Sequence, residues 1–361
     1  MKMTFRWYGS ESDKITLKQI KQIPGCTGLM GVLDYKAAGE VWEEDEIKKY
    51  IDEVHAAGLE CEVIESVNVH EDIKLGLPTR DQYIENYCKS IRNLAKYGVK
   101  VIVYNFMPVL DWLRTDLARV IPEDGSNSLY YDEAELGTMT PMEIVRRTAE
   151  NSNGFTLPGW EPARLAELEH VLELYKNVDE DKLFENFKYF LDGIIPTCEE
   201  VGVKMACHPD DPGWPIFGLP RVITCEENID RYLAIVDSPA NTMCLCTGSL
   251  GCSPKNDIPK LVRKYSAMKR IGFMHIRNVK ILPDTSFEES GHLTKNGSLD
   301  MNAIVKALVE TGFDGYFRPD HGRMIWGEVG SSAKPGYGLY DRALGSAYIN
   351  GLIEANGGVI E

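Results

Sequence analysis

Short apolar segments alternate with longer amphipathic segments along the whole 361-residue chain, and this alternation constrains the fold most. Several amphipathic segments end in a Gly that stands two or three residues before the next apolar segment, as at Gly58, Gly98, Gly202 and Gly312. A Gly that ends a helix just before a strand is typical of the αβ loops of parallel sheets. The pattern therefore predicts an α/β protein.

Eight apolar segments are strand candidates, and segments with helical periodicity separate them. They are Thr4–Tyr8, Gly28–Leu33, Cys61–Val67, Lys100–Met107, Lys204–His208, Thr242–Cys246, Ile271–Ile276 and Gly315–Arg318. Eight strands with helical partners predict a (β/α)8 TIM barrel that forms a single domain over residues 1–361. A doubly wound sheet is the alternative, but the first strand candidate runs into Gly9 without the G-x-G-x-x-G turn that such sheets usually carry.

One connection is much longer than the others. Residues 108–180 follow the fourth strand candidate and contain two segments with helical periodicity, Pro141–Asn151 and Ala163–Tyr175, with the loop Gly154–Pro162 between them. A long connection after a barrel strand lies on the active-site face. We expect a partly helical insertion that acts as a lid or as a dimer element rather than as a separate domain.

Charge and cysteine content narrow the class of protein. The chain has 39 Lys and Arg against 55 Asp and Glu, and the resulting net charge of −16 disfavours nucleic acid and anionic membranes as partners. No apolar segment is long enough for a membrane span or a signal-peptide core, and the nine cysteines include no Cys-x-x-Cys pair. We expect a cytoplasmic protein with reduced thiols.

Four successive strand candidates end in residues that can bind a metal ion: His208, Cys246, His275 and Asp320. The carboxyl ends of the strands surround the active site of such a barrel. A single buried His or Cys is more often a core residue, but two of only seven histidines fall within this run of four successive strand ends, which favours a shared divalent site. A thiolate by itself would favour Zn²⁺ or Fe²⁺ over Mn²⁺.

Arginines and proton-transfer groups lie close to the same strand ends. Arg6, Arg277 and Arg318 can each bind a carboxylate through two hydrogen bonds, or they can bridge strand ends structurally. His321 can act in general acid–base catalysis or can orient the neighbouring Asp320. Together with a metal, these groups predict a small acidic substrate that carries hydroxyls. Further candidates for contacts with the substrate are Trp7, Asn105, Asp111, Trp112 and Asn278.

Six segments carry a resemblance to a known family: FRWYG, YNFMPVLDWLRTDL, CHPDDP, CTGSLG, MHIRNV and RPDHGR. These segments and their spacing resemble the mannonate dehydratases of hexuronate (glucuronate) catabolism over essentially the whole chain. The resemblance implies a xylose-isomerase-like barrel, Mn²⁺ or Fe²⁺ as cofactor, and a homodimer. It also implies dehydration of D-mannonate, a small-molecule sugar acid, to 2-dehydro-3-deoxy-D-gluconate.

The resemblance places the metal ligands at His208, Cys246, His275 and Asp320. We expect His321 and a tyrosine to divide the roles of base and acid, and we favour Tyr337 over Tyr340 for its neighbourhood. Asp320 would hold both the metal and the site geometry, and Arg277 or Arg318 would bind the sugar acid. Three alternatives are a metal-dependent sugar isomerase on the same barrel, a metal-dependent endonuclease, which the negative charge disfavours, and a binding or metal-storage protein without turnover.

Overall fold

Eight parallel strands close into a barrel in the computed structural model, which describes residues 1–152, 168–330 and 333–361. The barrel strands are β1 (Lys2–Arg6), β2 (Cys26–Gly31), β3 (Glu60–Glu65), β4 (Val101–Tyr104), β7 (Lys204–Cys207), β8 (Asn241–Cys246), β9 (Ile271–Ile276) and β12 (Tyr316–Pro319). Each strand pairs in parallel with the next, and β12 pairs with β1 to close the barrel. All eight strand candidates overlap these strands, so the prediction of a TIM barrel is confirmed.

Helices of 4 to 22 residues stand between the strands. They are Leu17–Lys21, Glu44–Ala56, Glu71–Leu75, Arg80–Lys96, Glu133–Leu136, Pro141–Glu150, Leu168–Tyr175, Glu180–Val201, Glu226–Ile235, Thr247–Gly251, Ile258–Ala267, Met301–Glu310 and Leu339–Ala355. Local sequence sets their ends: the side chain of Asp179 accepts a hydrogen bond from the Lys182 backbone at the start of the longest helix, and Gly202, at φ 71°, ends it.

Apolar side chains fill the space on both sides of the barrel wall. Those of Val63, Val103, Ala206 and Phe273 form a small cluster with three other residues of the barrel strands. A much larger cluster lies between the strands and the helices. There the ring of Phe187 stacks on two other aromatic rings and is fully buried. This packing holds the strand ends, and thus the side chains they carry, in fixed positions.

A second sheet lies at the carboxyl ends of the barrel strands and was not predicted. Its strands are β5 (Asp116–Val120) and β6 (Asn127–Tyr131), which follow β4, and β10 (Val279–Ile281) and β11 (Phe287–Glu289), which follow β9. They are antiparallel in the order β10-β11-β6-β5. The strands are short, and the central pairing joins segments far apart in sequence, so local patterning does not reveal them.

The long connection after β4 contains β5, β6 and several helices before the chain returns to β7, the neighbour of β4 in the barrel. The predicted helical segments overlap the observed helices Pro141–Glu150 and Leu168–Tyr175. The predicted loop Gly154–Pro162 and residues 163–167 lie outside the described residues. The extent of an insertion over residues 108–180 and its role as a lid or dimer element stay predictions. Within the described parts of the chain, no helix has the length and apolar character needed to cross a membrane.

Candidate active site

The four candidate metal ligands meet at the carboxyl ends of four neighbouring barrel strands. His208 follows β7, Cys246 ends β8, His275 lies near the end of β9, and Asp320 follows β12. One ligand atom from each side chain lies within 4.8 Å of the ligand atoms of the other three. The structure thus brings together the residues that the sequence analysis selected, in a group that can hold a metal ion.

The hydrogen bonding of these side chains fits a bound cation. Both ring nitrogens of His275 are buried and make no hydrogen bond to any described residue. The Nδ1 atom of His208 lies 2.7 Å from the carbonyl oxygen of Pro209, which leaves Nε2 for a metal. The Sγ atom of Cys246 accepts hydrogen bonds from the backbone N–H and the hydroxyl of Ser249, at 3.4 and 3.1 Å. A buried polar atom without a hydrogen-bond partner costs folding free energy. A cation bound by these side chains would supply the missing partner.

Neighbouring charges keep the acidic ligands ionised. Burial acts to raise the pKa of Cys246, but Arg277 and His208 outweigh it and hold this pKa well below its ordinary value. Burial likewise opposes ionisation of Asp320, and Arg318 in particular holds its pKa well below the usual range. Thiolate and carboxylate are the forms that bind a metal.

Two buried arginines fix the position of Asp320. Arg318 binds one carboxylate oxygen of Asp320 through Nη1 at 2.7 Å, and Arg277 approaches the other oxygen through Nε at 2.9 Å. Arg277 also binds Asp211, at 2.7 Å, and Glu289. Its guanidinium is therefore shared by three carboxylates. This arrangement favours the structural role that the sequence analysis left open for Arg277.

A cavity that opens to solvent contains most of the candidate site. Its lining includes three of the four candidate metal ligands, His208, His275 and Asp320. Among the predicted substrate contacts it includes Arg6, Asn105, Asp111, Trp112 and Arg318. Arg277, Trp7 and Asn278 are not among the described residues that line it.

Trp7 and Asn278 are used to hold the backbone beside the site. The indole N–H of Trp7 donates to the carbonyl oxygen of Ile15 at 2.9 Å, and the ring is buried. The side chain of Asn278 donates to the Leu293 carbonyl at 2.9 Å and accepts from the Leu299 N–H at 3.1 Å. Their direct contact with substrate stays a prediction, and this geometry does not favour it.

His321 and Tyr337 form a hydrogen-bonded pair in the cavity wall. The Nε2 atom of His321 lies 2.8 Å from the hydroxyl of Tyr337. Tyr340, by contrast, is 40% exposed and its ring lies 5.3 Å from that of Trp326. The structure therefore places Tyr337, and not Tyr340, beside the candidate catalytic histidine.

Glu65 and Glu289 belong to the site although the sequence analysis did not select them. Glu65 ends β3, and its carboxylate lies 2.9 Å from Arg318, 3.4 Å from Arg6 and 3.5 Å from His275. An acidic residue at the carboxyl end of a barrel strand is the same signal that identified the candidate metal ligands, so the presence of Glu65 at the site was open to prediction. Glu289 lies in the unpredicted strand β11, and no local pattern marks it.

Fold and site together define a class: a (β/α)8-barrel protein in which a candidate metal site and a hydrogen-bonded His–Tyr pair border one cavity. Comparison with known proteins narrows this class. The profile of the D-mannonate dehydratase (UxuA) family matches residues 1–359. The chain therefore belongs to the D-mannonate dehydratase family, a family of hydro-lyases, and the resemblance found in the sequence is confirmed.

Individual relatives agree with this assignment. Mannonate dehydratase of Lachnoclostridium phytofermentans is 69% identical over 355 residues, which cover 98% of each chain. Mannonate dehydratase of Thermotoga maritima is 58% identical with the same coverage. The crystal structure of mannonate dehydratase from Streptococcus suis serotype 2 has a TM-score of 0.89 at 45% identity and covers 99% of this chain and 95% of that one.

A more distant likeness bears on the fold alone. D-psicose 3-epimerase from Clostridium cellulolyticum H10 has a TM-score of 0.56 at 14% identity, covering 98% of this chain and 99% of the other. It shows that the two proteins share the barrel fold. The family match sets aside the isomerase, endonuclease and storage-protein alternatives.

Proposed function

We propose that this chain removes water from D-mannonate to give 2-dehydro-3-deoxy-D-gluconate in a metal-dependent reaction. One observation carries the proposal: the candidate metal site and the His321–Tyr337 pair line the same cavity. The family to which the chain belongs supports the choice of substrate and reaction.

The chemistry explains why both groups are needed. The reaction breaks the C2–H bond and the C3–O bond, and the resulting enol becomes a ketone. The C2 proton is weakly acidic because the adjacent carboxylate is already negative. A divalent cation, for which we propose Mn²⁺ or Fe²⁺, would stabilise the negative charge that develops at that carboxylate. His208, Cys246, His275 and Asp320 would hold it.

The chain's own acid–base groups would handle the two protons. His321 and Tyr337 are within hydrogen-bond distance of each other and border the space that a substrate would occupy. We propose that one takes the proton from C2 and that the other protonates the departing C3 hydroxyl. General acid–base catalysis of this kind contributes about 10²- to 10⁴-fold to the rate.

Unused donors in the cavity suit a polyhydroxy acid. The Nε atom of Arg6 and the indole nitrogen of Trp112 are buried without a hydrogen-bond partner in the described part of the protein. Asn105 uses its Oδ1 atom to accept from the Met107 N–H at 3.1 Å, so its amide N–H groups are the ones to offer to a ligand. With Arg318, these groups would bind the substrate's carboxylate and hydroxyls.

Replacing His321 tests this assignment. His321→Asn should abolish formation of the 2-keto acid while the purified variant retains its bound Mn²⁺, because the imidazole is not among the four proposed ligands. The matched control is His55→Asn, a change at a half-exposed histidine on the helix Glu44–Ala56, which should turn over normally. Loss of metal from His321→Asn would make His321 a structural residue, and full activity would remove it from the mechanism.

Two further properties belong to the proposal. We propose that the protein works in the cytoplasm and as a homodimer. Light scattering of the purified protein measures the second directly: a mass near twice 40.6 kDa is expected, and a mass near 40.6 kDa would contradict it.

A further inference from the structure

Glu289 joins the second sheet to the candidate catalytic histidine. It ends β11 and is fully buried. Its Oε1 atom lies 2.7 Å from Nη2 of Arg114 and 3.5 Å from Nδ1 of His321, and it also accepts a hydrogen bond from Nη1 of Arg277. Within the described residues, it is the carboxylate that lies within 4.0 Å of Nδ1 of His321.

Two buried arginines, each of which also binds a second carboxylate, fix the position of the Glu289 carboxylate. Arg114 and Arg277 both bind Asp211, at 2.8 and 2.7 Å, and both guanidiniums are at most 1% exposed. Burial acts to raise the pKa of Glu289, but Arg277 and Arg114 outweigh it and lower this pKa to about 2. The carboxylate is therefore ionised at neutral pH and cannot move away from His321 without breaking two buried ion pairs.

An ionised carboxylate beside Nδ1 determines which ring nitrogen of His321 carries the hydrogen. A neutral imidazole has one N–H and one nitrogen with a lone pair. With the hydrogen on Nδ1, the N–H dipole lies 3.5 Å from the negatively charged Glu289 oxygen, an electrostatic contact longer than a hydrogen bond, and the lone pair of Nε2 accepts from the Tyr337 hydroxyl 2.8 Å away. With the hydrogen on Nε2, a lone pair would face the carboxylate, which is repulsive.

We propose that Glu289 is a positioning residue that holds His321 in the tautomer protonated at Nδ1, so that Nε2 presents its lone pair to Tyr337 and the cavity. The inference rests on the proposed function, since it assumes that His321 transfers a proton during dehydration. An acidic residue plays the same part in Ser-His-Asp triads, where it orients the histidine and selects its tautomer. Here the acidic residue comes from the second sheet and not from a barrel strand, which gives β11 a direct role in the site.

The tautomer of His321 in the unaltered protein is the first test, and it does not depend on turnover. Protein labelled with ¹⁵N-histidine and loaded with diamagnetic Zn²⁺ would be recorded by long-range ¹H–¹⁵N correlation, with the His321 signals assigned by their loss in His321→Asn. We expect the hydrogen on Nδ1. A hydrogen on Nε2 would overturn the proposal without any change to Glu289.

Two variants of Glu289 separate its acceptor oxygen from its charge. Glu289→Met keeps the length of the side chain but removes the acceptor. Glu289→Gln also removes the charge but keeps an acceptor oxygen. Because Arg114 and Arg277 can only donate hydrogen bonds, the amide oxygen of the glutamine must take the position of Oε1, which is the oxygen nearest to His321. The glutamine variant is therefore the conservative control.

The expected outcomes differ between the two variants. Glu289→Met should shift His321 towards the Nε2–H tautomer and lower kcat for D-mannonate by about 10- to 1000-fold, with KM within about threefold and metal content unchanged. Glu289→Gln should keep the Nδ1–H tautomer and recover most of kcat. Equal losses of kcat in both variants with an unchanged tautomer would show that Glu289 acts only through the arginines, and would overturn the proposal.

The same experiments keep this inference separate from the proposed function. Turnover of D-mannonate by the unaltered protein decides the function. The tautomer of His321 in the unaltered protein and in Glu289→Met decides whether Glu289 positions it. If Glu289→Met does not fold, the tautomer in the unaltered protein still decides the proposal.

Discussion

Gly248 lies in the short helix Thr247–Gly251 directly after the candidate ligand Cys246, and its lack of a side chain makes room for Arg277. A Cβ atom placed on Gly248 would lie 2.5 Å from both Cζ and Nε of Arg277. The backbone of Gly248 is not in the left-handed region, so Gly248→Ala introduces no backbone strain, and its unfavourable effect comes from the space that the added methyl group takes.

The structure sets the size of the effect. Ordinary contacts of a Cβ begin near 3.4 Å, so the Arg277 guanidinium must move by about 1 Å. It has little freedom to do so, because Asp211, Glu289 and Asp320 hold it in a fully buried position. Overpacking of this kind costs about 1–3 kcal/mol of unfolding free energy. A displacement of about 1 Å near the reacting groups lowers kcat/KM by about 100-fold.

Thermal unfolding and steady-state kinetics would measure both quantities. Gly351→Ala is the control, because Gly351 lies in the helix Leu339–Ala355 and a Cβ there meets no atom within 4 Å. That change should raise the unfolding free energy by about 0.5–1 kcal/mol and leave kinetics unchanged. If Gly248→Ala unfolds at the same temperature as the unaltered protein and keeps its kcat/KM, the account of Arg277 as a rigid support for Asp320 is wrong.

Three further predictions concern the metal site, the core and the response to pH. Cys246→Ser replaces a thiolate by a neutral hydroxyl and should weaken Mn²⁺ binding by more than about tenfold in calorimetric titration, with little change in the stability of the metal-free protein. Phe187→Ala removes a fully buried ring whose centroid is 4.2 Å from that of Phe106 and 5.1 Å from that of Tyr232, and should cost about 3–5 kcal/mol in chemical denaturation. Burial lowers the pKa of His292, whose ring nitrogens have no hydrogen-bond partner among the described residues. Below about pH 6.5 His292 binds a proton in the unfolded chain but stays neutral in the folded protein, so the unfolding free energy should fall as the pH drops through this range. His292→Phe should flatten that part of the curve of melting temperature against pH.

The barrel and the meeting of the four candidate metal ligands were accessible to prediction because both depend on local sequence. Each barrel strand is a short apolar segment bounded by helix-ending residues such as Gly58 and Gly202, and the topology brings all carboxyl ends to one face. Once the strands are placed, His208 and His275 must lie near each other, whatever the details of packing.

The features that the sequence did not reveal depend on contacts between residues that are not neighbours in the chain. Arg277 looks like a substrate-binding residue in isolation, and its actual partners Asp211 and Glu289 stand 66 and 12 residues away. The strands of the second sheet are too short to be recognised one at a time, and β11 pairs with a segment more than 150 residues earlier. Side-chain charge alone does not say whether an arginine will meet a ligand or a buried carboxylate.

The central claim is metal-dependent dehydration of D-mannonate, and one assay tests it most directly. Protein stripped of metal with a chelator would be given D-mannonate with and without added Mn²⁺ or Fe²⁺, and release of a 2-keto acid would be followed. We predict formation of the keto acid only when the metal is restored. Folded protein that binds the metal and yet forms no keto acid would contradict the account.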